Sequence, residues 1–185
     1  ALRRTMLDTG KIAVKYLEEK AGVRWKLIAG FPDYHYPKAP GTVAAGRYLE
    51  VELFDGAALG EWQKKTYLSP HMPNGITHDE LFAWGGFPGI MKWDFALMGK
   101  RYKADQRGFG PGMMAYLVKA AMIDRAIPAY VETPVRELIF EDGAVVGVRA
   151  ERDGEPVEYR ARLVIDASGQ DAVLARELAE RRHIE

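Results

Sequence analysis

Between residues 133 and 169 the sequence TPVRELIFEDGAVVGVRAERDGEPVEYRARLVIDASG admits few folds. Asp142-Gly143 and Asp153-Gly154 each stand between stretches of alternating apolar residues. Such Asp-Gly pairs close two-residue hairpins, because the turn needs positive φ and glycine takes it without strain. The pattern therefore predicts three short strands in an antiparallel β-meander. A fourth strand, apolar and buried, is expected next, ending in the small residues Ala167, Ser168 and Gly169.

The rest of the composition narrows the class. Apolar residues make up 48% and charged residues 28% of the 185, enough for one domain with a hydrophobic core. Twenty-six basic residues balance twenty-six acidic ones, so no net charge recruits nucleic acid or an anionic membrane. The chain has no cysteine, which removes disulfides, thiolate catalysis and Cys-ligated metals and suits a reducing cytoplasm. No apolar run is long enough for a transmembrane segment, and ALRRTMLDTG has no signal-peptide core. Without an initiator Met, the chain reads as cut from a longer one.

Read from the N-terminus, Leu2, Met6, Ile12, Tyr16 and Leu17 give an imperfect helical stripe over 2–20, with Gly22 as its stop. Alternation predicts strands over 23–28 and 48–54, the second stopping at Asp55-Gly56. Residues 30–47 (GFPDYHYPKAPGTVAAGR) are rich in Pro and Gly and read as an ordered irregular loop. Thr77 caps a short helix over 79–84, and a second, aromatic-rich helix is expected over 90–102. A helix over 113–125 carries Met114, Leu117, Val118, Ala121 and Met122 on its apolar face. A strand over 127–131 comes after it, a helix–strand pair suited to an α/β sheet. Residues 171–182 read as a closing helix. The expected organisation is a single domain over 1–185, with helix, loop and aromatic-rich segment in 1–107 and helix, strand, meander, buried strand and closing helix in 108–185.

Few motifs carry chemistry outright. RGFGPGMMAYL places Gly108, Gly110 and Gly112 ahead of a helix, as a phosphate loop does, but no Gly-Lys-Ser/Thr closes it and no strand clearly precedes it. The structural reading, a loop and helix start, is preferred. His35, His71, His78 and His183 lie far apart, without metal-ligand spacing, so no metal is expected. Neither Ser69 nor Ser168 sits in GxSxG, which argues against hydrolase chemistry. Tyr34 and Tyr36 stand in a proline-pinned loop that can hold a phenol against a reacting group, or can simply pack. Phe82, Trp84, Phe87, Met91, Trp93, Phe95 and Met98 suit either an apolar pocket or a core, and core packing is the preferred reading.

Four pieces in order resemble the flavoprotein family of fumarate reductases and 3-ketosteroid Δ1-dehydrogenases, with the ketosteroid-dehydrogenase-like branch nearer. They are GFPDYHYPKAPGTVAAGRYLE, FDGAALG, GFGPGMMAYLVKAAMIDRAIPAYVETPVRELIFEDGAVVGV and ARLVIDASG. The resemblance implies part of a Rossmann-like FAD-binding domain, class α/β, with an inserted three-stranded β-meander. It implies FAD as cofactor, with the backbone of Val135 beside the adenine and Ala167, Ser168 and Gly169 near the adenosine half. Tyr34 matches the tyrosine that assists the catalytic acid–base residue. The implied reaction takes a proton and a hydride from adjacent carbons of an apolar, steroid-like ketone, the hydride passing to the flavin.

The chain departs from that pattern as well. It has no GxGxxG turn with its acidic ribose partner, no C-terminal Gly-rich flavin segment and no substrate-capping domain. Further segments or another chain would complete the FAD site. IDASGQDAVLAREL is closer to flavin-dependent monooxygenases and halogenases, which stand as one alternative. A non-catalytic fragment or scaffold without bound cofactor is the other.

Overall fold

The computed structural model describes residues 2–169, which divide between two compact units, Ala1–Pro128 and Ala129–Glu185. In the first, α1 (Leu2–Ala21) forms where the helical stripe was expected and ends at Gly22, whose φ of 63° is left-handed. None of its residues is buried. It is held near its C-terminal end, where Leu17 and Ala21 pack against a core of Val23, Val51, Phe54, Leu59, Ala115, Tyr116 and Val118. The Trp25 indole N–H also donates to the Val14 carbonyl (3.3 Å).

Strand β1 (Trp25–Leu27) pairs antiparallel with β2 (Leu49–Val51), Lys26 opposite Glu50. The strand expected over 48–54 is broken, because the chain changes partner. After β2 it turns at Glu52-Leu53, and β3 (Phe54–Asp55) pairs instead with β4 (Gln106–Arg107). Between 30 and 47 the chain is irregular but ordered, as expected. Asp33 closes that loop: its N–H donates to the Val43 carbonyl (2.9 Å), and its carboxylate accepts the Val43 N–H (3.0 Å) and pairs with Arg47 (3.4 Å).

Helix α2 (His78–Ala83) starts at Thr77 with a reciprocal capping box to Glu80. The helix expected over 90–102 is split. A 3₁₀ segment (Phe87–Lys92) precedes an extended Trp93, and Asp94 then caps α3 (Phe95–Lys103) by accepting the Leu97 N–H (2.8 Å). Helix α4 (Phe109–Val118) starts earlier than expected and runs into a π turn (Lys119–Ile123).

The second unit is the meander: β5 (Val135–Glu141), β6 (Ala144–Arg152) and β7 (Glu155–Arg160), in that order across the sheet. Both turns are closed as anticipated, with Asp142 and Gly143 at φ 49° and 76° and Asp153 and Gly154 at φ 53° and 81°. Two expected strands are absent. Residues 127–131 are irregular, with Ile127 and Val131 about half exposed, and Leu163 and Ile165 are exposed rather than buried. A strand exists through ladder bonds to a neighbour, and the described residues supply none for either segment. Every ladder among the described residues is antiparallel. The structure is thus mixed helix and sheet. The closing helix over 171–182 lies outside the described residues.

The glycines before α4 serve packing. A Cβ on Gly108 would stand 2.3 Å from the Ile76 carbonyl oxygen, and one on Gly112 would stand 2.6 Å from that of Arg107. Gly110 has open space around it. Gly108→Ala and Gly112→Ala should each destabilise the chain by about 1–3 kcal/mol in urea unfolding, whereas Gly110→Ala should be neutral or slightly stabilising.

Candidate functional site

A cleft of about 840 Å³ opens in the first unit, within the size range of small-molecule sites. Trp25 of β1, Leu49 and Val51 of β2, Leu81 and Phe82 of α2, and Phe109 and Met113 of α4 form much of its wall. Phe31, from the start of the Pro-rich loop, joins them through ring contacts with Phe82 (centroids 4.9 Å apart) and Tyr48 (4.8 Å). The aromatic-rich stretch is therefore shared out. Trp93 is core, packed with Ile76 and Leu81 and donating its indole N–H to the Gly86 carbonyl (2.9 Å). Phe82 and Phe87 line the cleft, and Met91 is 91% exposed.

Two polar side chains enter this apolar wall, Glu50 and His78. Glu50 is 4% exposed. Its Oε2 accepts the backbone N–H of His78 (2.7 Å) and lies 2.9 Å from His78 Nδ1. Its Oε1 is buried without a hydrogen bond among the described residues, and the nearest charge is Lys26 Nζ at 3.5 Å. That ammonium also pairs with Asp79 (2.7 Å). Burial opposes the Lys26 charge, but the close contact with Asp79 and the charges of Asp79 and Glu50 outweigh it and hold its pKa above the ordinary value. Phe109 meets the His78 ring edge-on at 4.5 Å.

No pattern in the sequence marks this pair. His78 and Glu50 are 28 positions apart and belong to different elements, so no spacing motif joins them. In a strand with one wet face, the alternation of Leu49, Glu50 and Val51 would send Glu50 to solvent. Here α2 covers it.

Glu80 locks α2 in place. Besides its part in the capping box, its Oε2 accepts from Arg101 (2.7 Å), whose guanidinium also reaches the Gly75 carbonyl (3.2 Å). Burial pushes the Glu80 pKa up, but Arg101 and the Thr77 N–H and hydroxyl more than offset this and hold it below the ordinary value of 4.5.

The residues expected from sequence lie elsewhere. Tyr34 is 89% exposed on the Asp33-pinned loop, its ring edge-on to His35 (5.2 Å). Packing does not explain an exposed ring. Val135, at the start of β5, is half-buried in the second unit. In the same unit, Ser168 N–H donates to Asp166 Oδ1 (2.9 Å), an Asx turn that leads to Gly169 at φ 75° with open space around it. Ala167, Ser168 and Gly169 are all exposed. This open turn fits a ligand read through backbone groups, whereas Gly108 and Gly112 face protein carbonyls and do not fit a phosphate.

Residues 1–183 match the family model described as "FAD binding domain". The chain belongs to that family. Its cofactor is FAD. The chain is 30% identical over 167 residues to 4-oxocyclohexanecarboxylate 2-dehydrogenase of Sinomonas cyclohexanicum, covering 86% of this chain and 28% of that protein. It is 25% identical over 185 residues to 3-oxosteroid 1-dehydrogenase of Mycolicibacterium smegmatis, covering 85% of this chain and 30% of the relative. Among solved structures it is similar to 3-ketosteroid Δ1-dehydrogenase of Sterolibacterium denitrificans in complex with 1,4-androstadiene-3,17-dione. There the TM-score is 0.66 at 26% identity, over 84% of this chain and 31% of the other. The chain thus spans less than a third of the length of these relatives. The resemblance to ketosteroid dehydrogenases holds, and the monooxygenase alternative gains nothing from these matches. No helix among the described residues is long and apolar enough to cross a membrane.

Because the Glu80 pKa is lowered on folding, its contribution to stability is present above the ordinary glutamate pKa. It is lost as pH falls through the lowered value. Glu80→Gln should cost about 1 kcal/mol in urea unfolding at pH 7. The variant should also lose less stability than wild type between pH 5 and pH 2.5, and equal losses would mean that Glu80 carries no charge-dependent anchoring.

Proposed function

We propose that this chain is part of the Rossmann-like FAD-binding domain of an oxidoreductase that dehydrogenates an apolar ketone. The observation that carries the reading is the open apolar cleft in a chain of the FAD-binding-domain family. The relatives act, by their names, on oxo compounds with a ring skeleton, an oxocyclohexanecarboxylate and oxosteroids. A wall of Trp25, Phe31, Phe82 and Phe109 suits such rings, because it removes apolar area from water and offers few competing hydrogen bonds.

FAD, when bound, supplies the hydride acceptor. The backbone of Val135 and the turn of Ala167, Ser168 and Gly169 would hold the adenosine half, and at Gly169 no side chain would stand between the exposed peptide and the nucleotide. Tyr34 supports the acid–base step: its exposed phenol, on a loop braced by Asp33 and Arg47, assists removal of the substrate proton. Segments beyond this chain supply the rest of the FAD site, and a cytoplasmic location suits the cysteine-free composition.

Two measurements test this reading. The full-length enzyme should carry a flavin that co-elutes with it and shows the flavin visible band. A colourless full-length enzyme that leaves added FAD fluorescence unquenched would overturn the reading. In the full-length enzyme, Tyr34→Phe should lower kcat on the order of 10- to 100-fold with KM little changed. Unchanged turnover would exclude Tyr34 from the chemistry.

A further inference from the structure

We infer that His78 is the polar anchor of the apolar cleft, oriented by Glu50, and that it selects ring ligands carrying a hydroxyl group. The inference rests on the proposal that the cleft takes an apolar ring ketone, and it adds that a hydroxyl group on the same skeleton, apart from the reacting ketone, meets His78. Glu50 is a positioning residue here, since its carboxylate acts through the imidazole.

Glu50 Oε2 sets the tautomer of the ring. That oxygen accepts the His78 backbone N–H at 2.7 Å, and because a carboxylate beside the Lys26 ammonium can only accept, its 2.9 Å contact with Nδ1 puts the ring hydrogen on Nδ1. The two contacts fix both ends of the residue, backbone and ring. Phe109 packs edge-on to the imidazole at 4.5 Å, and Phe82 lies stacked beside it at 6.4 Å. Nε2 has no hydrogen-bond partner among the described residues. His78 lines the cleft and its side chain is 35% exposed, so a ligand in the cleft can reach it.

Retaining a buried carboxylate for this purpose is costly. Glu50 is buried with one oxygen unbonded, and its balancing charge, Lys26, stands at 3.5 Å and is shared with Asp79. Burial of that kind opposes stability, whereas well-packed apolar residues in its place are often neutral or stabilising. What the arrangement does achieve is a single imidazole orientation in an otherwise apolar wall.

The oxygen function is decided by the hydrogen inventory. An uncharged imidazole held through Nδ1–H offers a lone pair at Nε2, which matches a hydroxyl hydrogen. An imidazolium offers a hydrogen there, which matches a hydroxyl oxygen. A hydroxyl meets both states, while a ketone oxygen, which only accepts, meets one.

The test uses the 185-residue chain and two fused-ring probes of nearly equal size, decahydro-2-naphthol and its hydrocarbon parent decalin. Binding is monitored by NMR at the Trp25 indole and the His78 ring nitrogens. The alcohol should bind about fivefold to tenfold more tightly than decalin, the worth of one hydrogen bond, and should shift the His78 Nε2 resonance. His78→Phe should bring the two affinities together. Glu50→Gln should alter the His78 ring-nitrogen pattern and shrink the preference. Equal binding of the two probes to wild type, no binding of either, or an undiminished preference in His78→Phe would each overturn the inference. Should His78→Phe fail to fold, the wild-type affinity ratio and the Nε2 shift still decide it. FAD uptake, read from visible absorbance, is independent of these signals, so failure here is distinguishable from failure of the flavin reading.

Discussion

The first unit is organised around one buried carboxylate. Glu50 sits on β2, opposite Lys26 on β1, and its Oε2 holds the first residue of α2 by both backbone and side chain. A β-ladder and a helix that share no local sequence relation are thereby fixed to each other, and the cleft is the space their apolar side chains leave. A charge this deeply buried without its contacts would be strongly unfavourable, so the surrounding elements must meet it together. The apolar wall and the polar anchor are products of the same contact.

A second buried charge braces the same unit. Arg107, 1% exposed, donates to Asp105 (2.7 and 2.9 Å), to the Gln63 carbonyl (3.0 Å) and to the Thr66 hydroxyl. It ties β4 to the 3₁₀ segment Gly56–Gln63 and to the turn that carries Thr66, while the β3–β4 ladder sets the register. Gly56, Gly108 and Gly112 then allow backbones to approach where no side chain has room. Thus a glycine pattern that suggests phosphate binding is explained by carbonyl oxygens of the same chain.

Seen against relatives of which it spans less than a third, the chain corresponds to one part of their architecture. Its two units carry different duties in the proposed reading. The first presents the cleft and the loop of Tyr34, and the second presents Val135 and the Ala167–Gly169 turn. Exposed apolar segments such as Leu163 and Ile165 have the composition of buried strands, yet they find no ladder partner among the described residues. Strand propensity alone does not bury them.

Local chemistry was legible in the sequence wherever the determining residues are neighbours. Asp142-Gly143 and Asp153-Gly154 dictate their turns, Thr77 and Glu80 dictate the start of α2, and the order of the GFPDYHYP, FDGAALG and GFGPGMM pieces marks the family. Features that depend on distant partners were not legible: the break between β2 and β3, the division of the aromatic stretch between core and cleft, and above all the meeting of Glu50 with His78. Hydrogen bonds and burial at those positions are set by which element arrives from elsewhere in the chain. The turns, the α2 cap and the flavin family follow from residue order alone, because they rest on backbone conformation and neighbouring side chains. The place of the cleft and the polar group that stands in it follow from the folded chain, because a buried charge is placed by contacts that no local pattern records.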